Sequence, residues 1–115
     1  MARTRQELAV AVMRQGGWLD ATQQPSAEDA AFIKAAYADK FDYLVSEDLC
    51  YWNLDEIPTA IFTIIRDLMI NEVSGAFGEA SSPEDKQARE DFILKRLRRH
   101  MARNPSGQRT QAEYF

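Results

Sequence analysis

The sequence predicts an all-α protein: a small four-helix bundle over residues 1–103, followed by an extended C-terminal tail over residues 104–115. Three observations predict it. Apolar residues recur at spacings of three and four in four separate segments. Three of those segments open on a Ser or Thr cap and the fourth on a proline, while glycine or proline closes three of the four. Between them no pair of alternating segments with a tight turn signals a strand pair. The 115 residues, 45% hydrophobic and 28% charged, suit one core, and 5 Gly with 4 Pro exclude a low-complexity chain.

Thr4 with Glu7 three residues on makes a capping-box pattern; Leu8, Val12 and Met13 form a short apolar stripe, and Gly16-Gly17 ends helix one. Trp18 and Leu19 lead into a polar loop through Gln24-Pro25. Ser26 and Asp29 cap helix two, whose stripe of Ala30, Ile33, Ala36, Tyr37, Phe41, Leu44 and Val45 runs to about Ser46. Residues 47–55, with Leu49, Cys50, Tyr51, Trp52 and Leu54, have no regular period and are expected as a bulky loop under the core.

Asp55-Glu56-Ile57-Pro58 places two carboxylates and a proline at the expected start of helix three, which runs to Phe77 with Gly78 as its stop. Its apolar residues occupy more than one face, so helix three is expected at the centre, with Ile61, Ile64, Ile65, Leu68 and Met69 most buried. Gly75, near its end, is read as a point of close helix approach. Ser82-Pro83-Glu84-Asp85 repeats the start grammar for helix four, whose expected stripe is Ala88, Phe92, Leu94 or the Lys95 stem, Leu97 and Met101. Asn104-Pro105 closes it, and the polar tail ends in Tyr114-Phe115.

Chemistry is sparse. One cysteine, Cys50, and one histidine, His100, exclude a disulfide framework and a His-rich metal site. A Cys50–His100 dyad is weighed against a small, buried, apolar Cys50 and an exposed His100 beside Arg98 and Arg99, and the second reading is preferred. The acidic pairs Asp55-Glu56 and Glu84-Asp85 are explained by helix starts, and Glu47-Asp48 by a solvated loop. No glycine-rich phosphate loop, metal-ligand spacing or nucleophile elbow occurs. The expectation is therefore a protein without catalytic, cofactor or metal residues. No apolar run approaches the roughly 18 residues of a membrane span, and no signal-peptide core follows the first residues. A soluble, intracellular site of synthesis, with no membrane partner, is expected.

Charge is segregated. The net charge is −4, but residues 20–56 carry nine acids against Lys34 and Lys40, whereas residues 92–115 carry six bases against Glu113. Lys95, Arg96, Arg98, Arg99 and Arg103 make a basic patch that reads as a solvated, dipole-matched helix end, as a contact with a neighbouring subunit or, third, as a surface for nucleic acid. On a helix Lys95, Arg98 and Arg99 share one side, and Arg96 and Arg103 point elsewhere.

Taken in order, an acidic aromatic helix ending in Tyr43-Leu44-Val45, then Trp52, then Asp55-Glu56-Ile57-Pro58 opening a long apolar helix that closes on Phe77-Gly78, form a pattern with a counterpart. Over residues 26–78, and in its plan of a small helical bundle with a polar extension, the chain resembles the head-to-tail connector (adaptor) proteins of tailed bacteriophages. The resemblance implies a non-enzymatic subunit of the virion neck. It implies assembly with itself into a ring, a dodecamer in the common case, beneath the portal protein. Such a ring extends the channel through which packaged DNA passes without sequence-specific binding, and it offers a platform to tail or neck proteins. By position, it also implies that the tail docks on the portal through Arg109, Tyr114 and Phe115. The alternative from the residues themselves is a small helical DNA-binding regulator. The acidic total, and the lack of a helix-turn-helix spacing before the basic helix, weigh against it.

Overall fold

The computed structural model describes residues 2–79 and 81–103. Among them are four α-helices, α1 (Arg5–Gln15), α2 (Ala27–Ser46), α3 (Thr59–Val73) and α4 (Pro83–Arg103), together with two short strands, β1 (Ala2–Arg3) and β2 (Ile57–Pro58). The expected tail, residues 104–115 with Arg109, Tyr114 and Phe115, lies outside the described residues, as does the side chain of Arg103.

Local chemistry sets the helix ends much as the spacing predicts. The Thr4 hydroxyl accepts from the Glu7 amide at 3.2 Å and the Glu7 carboxylate accepts from the Thr4 amide at 2.9 Å, which closes the capping box of α1. Ser26 and Ser82 each accept from the amide three residues on, at 3.1 Å. Gly17 (φ 85°) and Gly78 (φ 90°) supply the left-handed turns after α1 and after the 3₁₀ segment Ser74–Phe77 that extends α3. Gly16 lies under the Trp18 ring, where a Cβ would meet ring carbon at 2.6 Å. Trp18 is not simply the start of a loop: it stacks on Phe77 (4.7 Å between centroids) and donates its indole N–H to Glu79 at 3.0 Å. The end of α1 is thereby clasped to the end of the α3 segment.

The structure corrects the expectation that no strands pair. β1 and β2 are antiparallel, with Ala2 opposite Pro58 and Arg3 opposite Ile57. The same feature moves the start of α3. A residue before proline avoids the helical region, so Ile57 stays extended and the helix begins at Thr59, not at Asp55. The two carboxylates expected at that helix start serve otherwise: Asp55 accepts from both Arg5 Nε (2.6 Å) and a terminal Arg5 nitrogen (3.3 Å), and Glu56 accepts from Asn53 at 2.8 Å. Hydrogen bonding to Arg5 holds the Asp55 carboxyl below its ordinary range. The Arg3 guanidinium lies over the Phe62 ring at 4.7 Å, so β1 covers one end of α3.

α3 is the element against which α1, α2 and α4 all pack. Ile61, Phe62, Ile65, Leu68, Met69 and Val73 are buried, and Ile64, expected among the most buried, is only partly so. Ile33, Tyr37 and Leu44 of α2 and Leu8, Val12 and Met13 of α1 complete the centre. The loop after α2 is held under it as expected: Leu49 and Trp52 are buried, and the Trp52 indole donates to the Tyr37 hydroxyl at 3.0 Å. Val45, placed in the α2 stripe by its spacing, is instead exposed, and a Cβ on Gly75 would meet nothing, so no close helix approach occurs there.

The largest correction concerns α4. Ile93, Leu94, Leu97 and Met101 are its buried residues, whereas Ala88 is exposed and Phe92 is 63% exposed. At about 100° per residue, Phe92 and Leu94 lie some 200° apart, so one buried stripe cannot contain both. Leu94 shares its side with Leu97 and Met101, and Phe92 is left outward.

Candidate functional site

Three places bring chemistry-bearing side chains together. The first is the Cys50–Tyr51–His100 corner beneath the α4 end. The Tyr51 hydroxyl and His100 Nε2 are 3.2 Å apart and their rings stack, so His100 is half-buried on Tyr51 rather than exposed beside Arg98 and Arg99. The Cys50 thiol, half-buried rather than fully so, donates to the Trp52 carbonyl oxygen at 3.4 Å. Burial pushes that thiol up to about 11, against a small opposing effect of the hydrogen bond. A thiol so poised is almost wholly protonated near neutral pH and is a poor nucleophile.

The second is the seam between α3 and α4. Buried Asn71 donates to the Lys86 carbonyl oxygen at 3.0 Å and accepts from Arg89 Nε at 2.9 Å, while Arg89 also donates to Ser81 at 2.6 Å. Farther along, Asp67 accepts from Arg96 at 3.1 Å. Lys40 reaches across from α2 to Glu72 (3.2 Å) and Glu90 (3.1 Å). Burial alone would lower its pKa, but the two carboxylates outweigh that and hold it above its ordinary value. An open cleft of about 340 Å³ lies on this seam, lined by Asn71, Ser81, Arg89 and Ile93 among others. Its polar groups already serve one another.

The third is the pair of outward surfaces on α4 and α2. Of the five predicted basic residues, Arg96 is engaged by Asp67, and the Arg103 side chain is not described. Lys95, Arg98 and Arg99 are exposed and form no ion pair among the described residues. Phe92 stands beside them, over a shallow depression shared with Asp67 of α3 and with Ala88, Arg89, Ile93 and Arg96 of α4. On α2, Phe32 (45% exposed) and Tyr43 (40%) face out over a groove of about 350 Å³ between α2 and α3. Ala36 and Val73 line that groove with them, and Asp39, Lys40 and Glu72 edge it. Sequence reading found the cations but missed the outward aromatics, because it assigned Phe92 to the core, left Phe32 unassigned and used Tyr43 only in the pattern that carries the resemblance. The available signal was angular: Phe32 is one residue, about 100°, off the Ile33–Tyr37–Leu44 stripe.

Among the described residues no group of three or more His, Cys, Asp or Glu is arranged to hold a metal ion, and no helix is long and apolar enough to cross a membrane. No protein-family profile, curated protein or solved structure matches this chain.

Proposed function

We propose that this chain is a structural head-to-tail connector subunit of a tailed bacteriophage, which assembles into a ring beneath the portal, extends the DNA channel and provides the platform for tail attachment. In this reading its body is a four-helix bundle, residues 104–115 are a strap that docks on the portal through Arg109, Tyr114 and Phe115, and the chain catalyses nothing. The observation that carries it is the pairing of unlike outward surfaces on one small body: Phe92 with three cations on α4 that have no ion-pair partner among the described residues, and exposed aromatics with acids on α2. A ring needs such a heterologous arrangement, in which one patch meets a different patch on the next copy. The resemblance over residues 26–78 supports the phage neck as its place, and the protonated, hydrogen-bonded Cys50 supports a non-enzymatic role.

Light scattering on size-exclusion fractions, with and without a purified portal protein of the same virus, tests this. A ring-sized complex that forms with portal is expected, and deletion of residues 108–115 should sharply reduce portal binding while leaving helical content unchanged. A chain that ignores portal and binds duplex DNA with a steep salt dependence would instead support the helical DNA-binding regulator.

A further inference from the structure

We propose that successive copies of this chain join through one knob-and-socket contact, in which Phe92 of one copy seats in the α2/α3 groove of the next. This names the self-contact inside the ring and rests on the connector reading for the closure of that ring. The knob is a side chain that the described fold leaves mostly in solvent. Phe92 is 63% exposed on the outer side of α4. Lys95 and Arg99, three and seven residues on, lie along the same side at helical spacing and are unpaired among the described residues. An exposed aromatic in a collar of cations results.

The socket is complementary in shape and sign. Its floor is apolar, made of Phe32, Ala36 and Val73, with Tyr43 at one end. Its edge carries Asp39 and Glu72, and the positive charge of Lys40 is already held between Glu72 and Glu90. Asp39, and Asp42 one turn farther toward the α2 end, form no ion pair among the described residues. An apolar floor with an acidic edge fits an aromatic flanked by Lys and Arg, the type of residue that dominates interface energetics. The cations then add orientation and salt-dependent steering more than affinity.

A chain cannot fill its own socket. Glu90 of α4 touches Lys40 at the edge of the groove (3.1 Å), and Phe92, two residues on, points about 200° away around the helix. Knob and socket therefore face different ways around α4, and each added copy leaves one of each unused. Such a contact propagates, giving a closed ring or an open chain according to the angle between copies.

The test mixes two defective full-length chains. Phe92→Asp lacks the knob and keeps the socket, and Ala36→Trp blocks the socket and keeps the knob; both are checked for parental helicity first. Each alone is expected to self-associate about thirtyfold or more weakly than the parent. Mixed together they should form a one-to-one dimer that grows no further, because the only surviving knob meets the only surviving socket. Should Ala36→Trp misfold, cysteines supply the second arm. In a Cys50→Ser background, Phe92→Cys with Ala36→Cys should cross-link between copies, and neither single cysteine should. Parental self-association by Phe92→Asp, a Phe92→Cys chain that cross-links to itself, or a parent that stays monomeric at millimolar concentration would each overturn the contact. Self-association through this contact without any portal affinity would uphold it and sink the connector reading, whereas portal rings that tolerate Phe92→Asp would do the reverse.

Discussion

The two sides of α4 treat the same residue types in opposite ways. Toward α3, Arg89 and Arg96 each find a fixed acceptor in Asn71 and Asp67, Lys86 reaches the Glu72 carbonyl oxygen, and Ile93, Leu94 and Leu97 are buried. On the outer side, Lys95, Arg98 and Arg99 have no ion-pair partner among the described residues, and Phe92, at the rim of the depression it shares with Asp67, is 63% exposed. The inner side is the part of α4 that the fold uses. Among the described residues the outer side makes no such fixed contact, and an exposed aromatic beside cations without an ion-pair partner there is what the proposed self-contact uses.

The sharpest way to break this division is to truncate one residue from each class. Leu68→Ala, in the buried heart of α3, should cost about 2 to 5 kcal/mol and lower the melting temperature by on the order of 10 °C. Phe92→Ala, despite removing a larger side chain, should change stability by no more than about 0.5 kcal/mol. Denaturant unfolding of the two variants side by side measures the difference; equal losses would put Phe92 back in the core.

A smaller effect is expected at the seam. Asn71→Ala removes the acceptor of Arg89 and the donor to the Lys86 carbonyl oxygen, and a buried polar group left unpaired costs about 1 to 3 kcal/mol. Arg98→Glu, on the outer side, should leave the unfolding midpoint where it was.

The loop beneath the core gives a pH-dependent version of the same comparison. Burial raises the Cys50 thiol from 9.0 to about 11 and the Tyr37 hydroxyl from 10.0 to about 12, the latter opposed by its bond to Trp52. Both groups hold their protons more tightly when folded, so their contribution is complete below the unfolded values and is lost as pH rises through the folded ones. Melting temperature should therefore fall between about pH 9 and pH 12. Cys50→Ala should flatten the lower part of that fall, and a profile identical to the parent's would show that the thiol does not feel its burial.

The mildest perturbation concerns charge alone. Exposed ion pairs contribute only about 0 to 1 kcal/mol each, so reversing Arg98 and Arg99 together to Glu should weaken assembly at low salt and leave helicity intact. Assembly unaltered in low salt would remove those two residues from the contact.

Punctuation was the most legible part of this chain. Thr4, Ser26, Ser82 and Gly78 act where their spacing places them, since a cap depends on residues three or four apart. The β1/β2 pair was not legible, because Arg3 and Ile57 are far apart in sequence and two-residue strands carry no periodic signal. The start of α3 was misread because the acids before Pro58 look like first-turn residues, whereas Asp55 answers to Arg5, a partner invisible in local sequence. At the candidate site the cations were legible as a run, but their availability was not: Arg96 differs from Arg99 only in having Asp67 across the seam. Phe92 was misplaced by more than half a turn, which the angle of about 200° between it and Leu94 would have corrected.

The division of α4 into a folding side and a contact side is tested most directly by sedimentation of Phe92→Asp beside the parent, with the thermal midpoints of both measured on the same samples. The expected result is a midpoint within about 2 °C of the parent's, together with loss of the self-association that the proposed contact predicts for the parent. A depressed midpoint with assembly intact would contradict it, and would make Phe92 a residue of the fold.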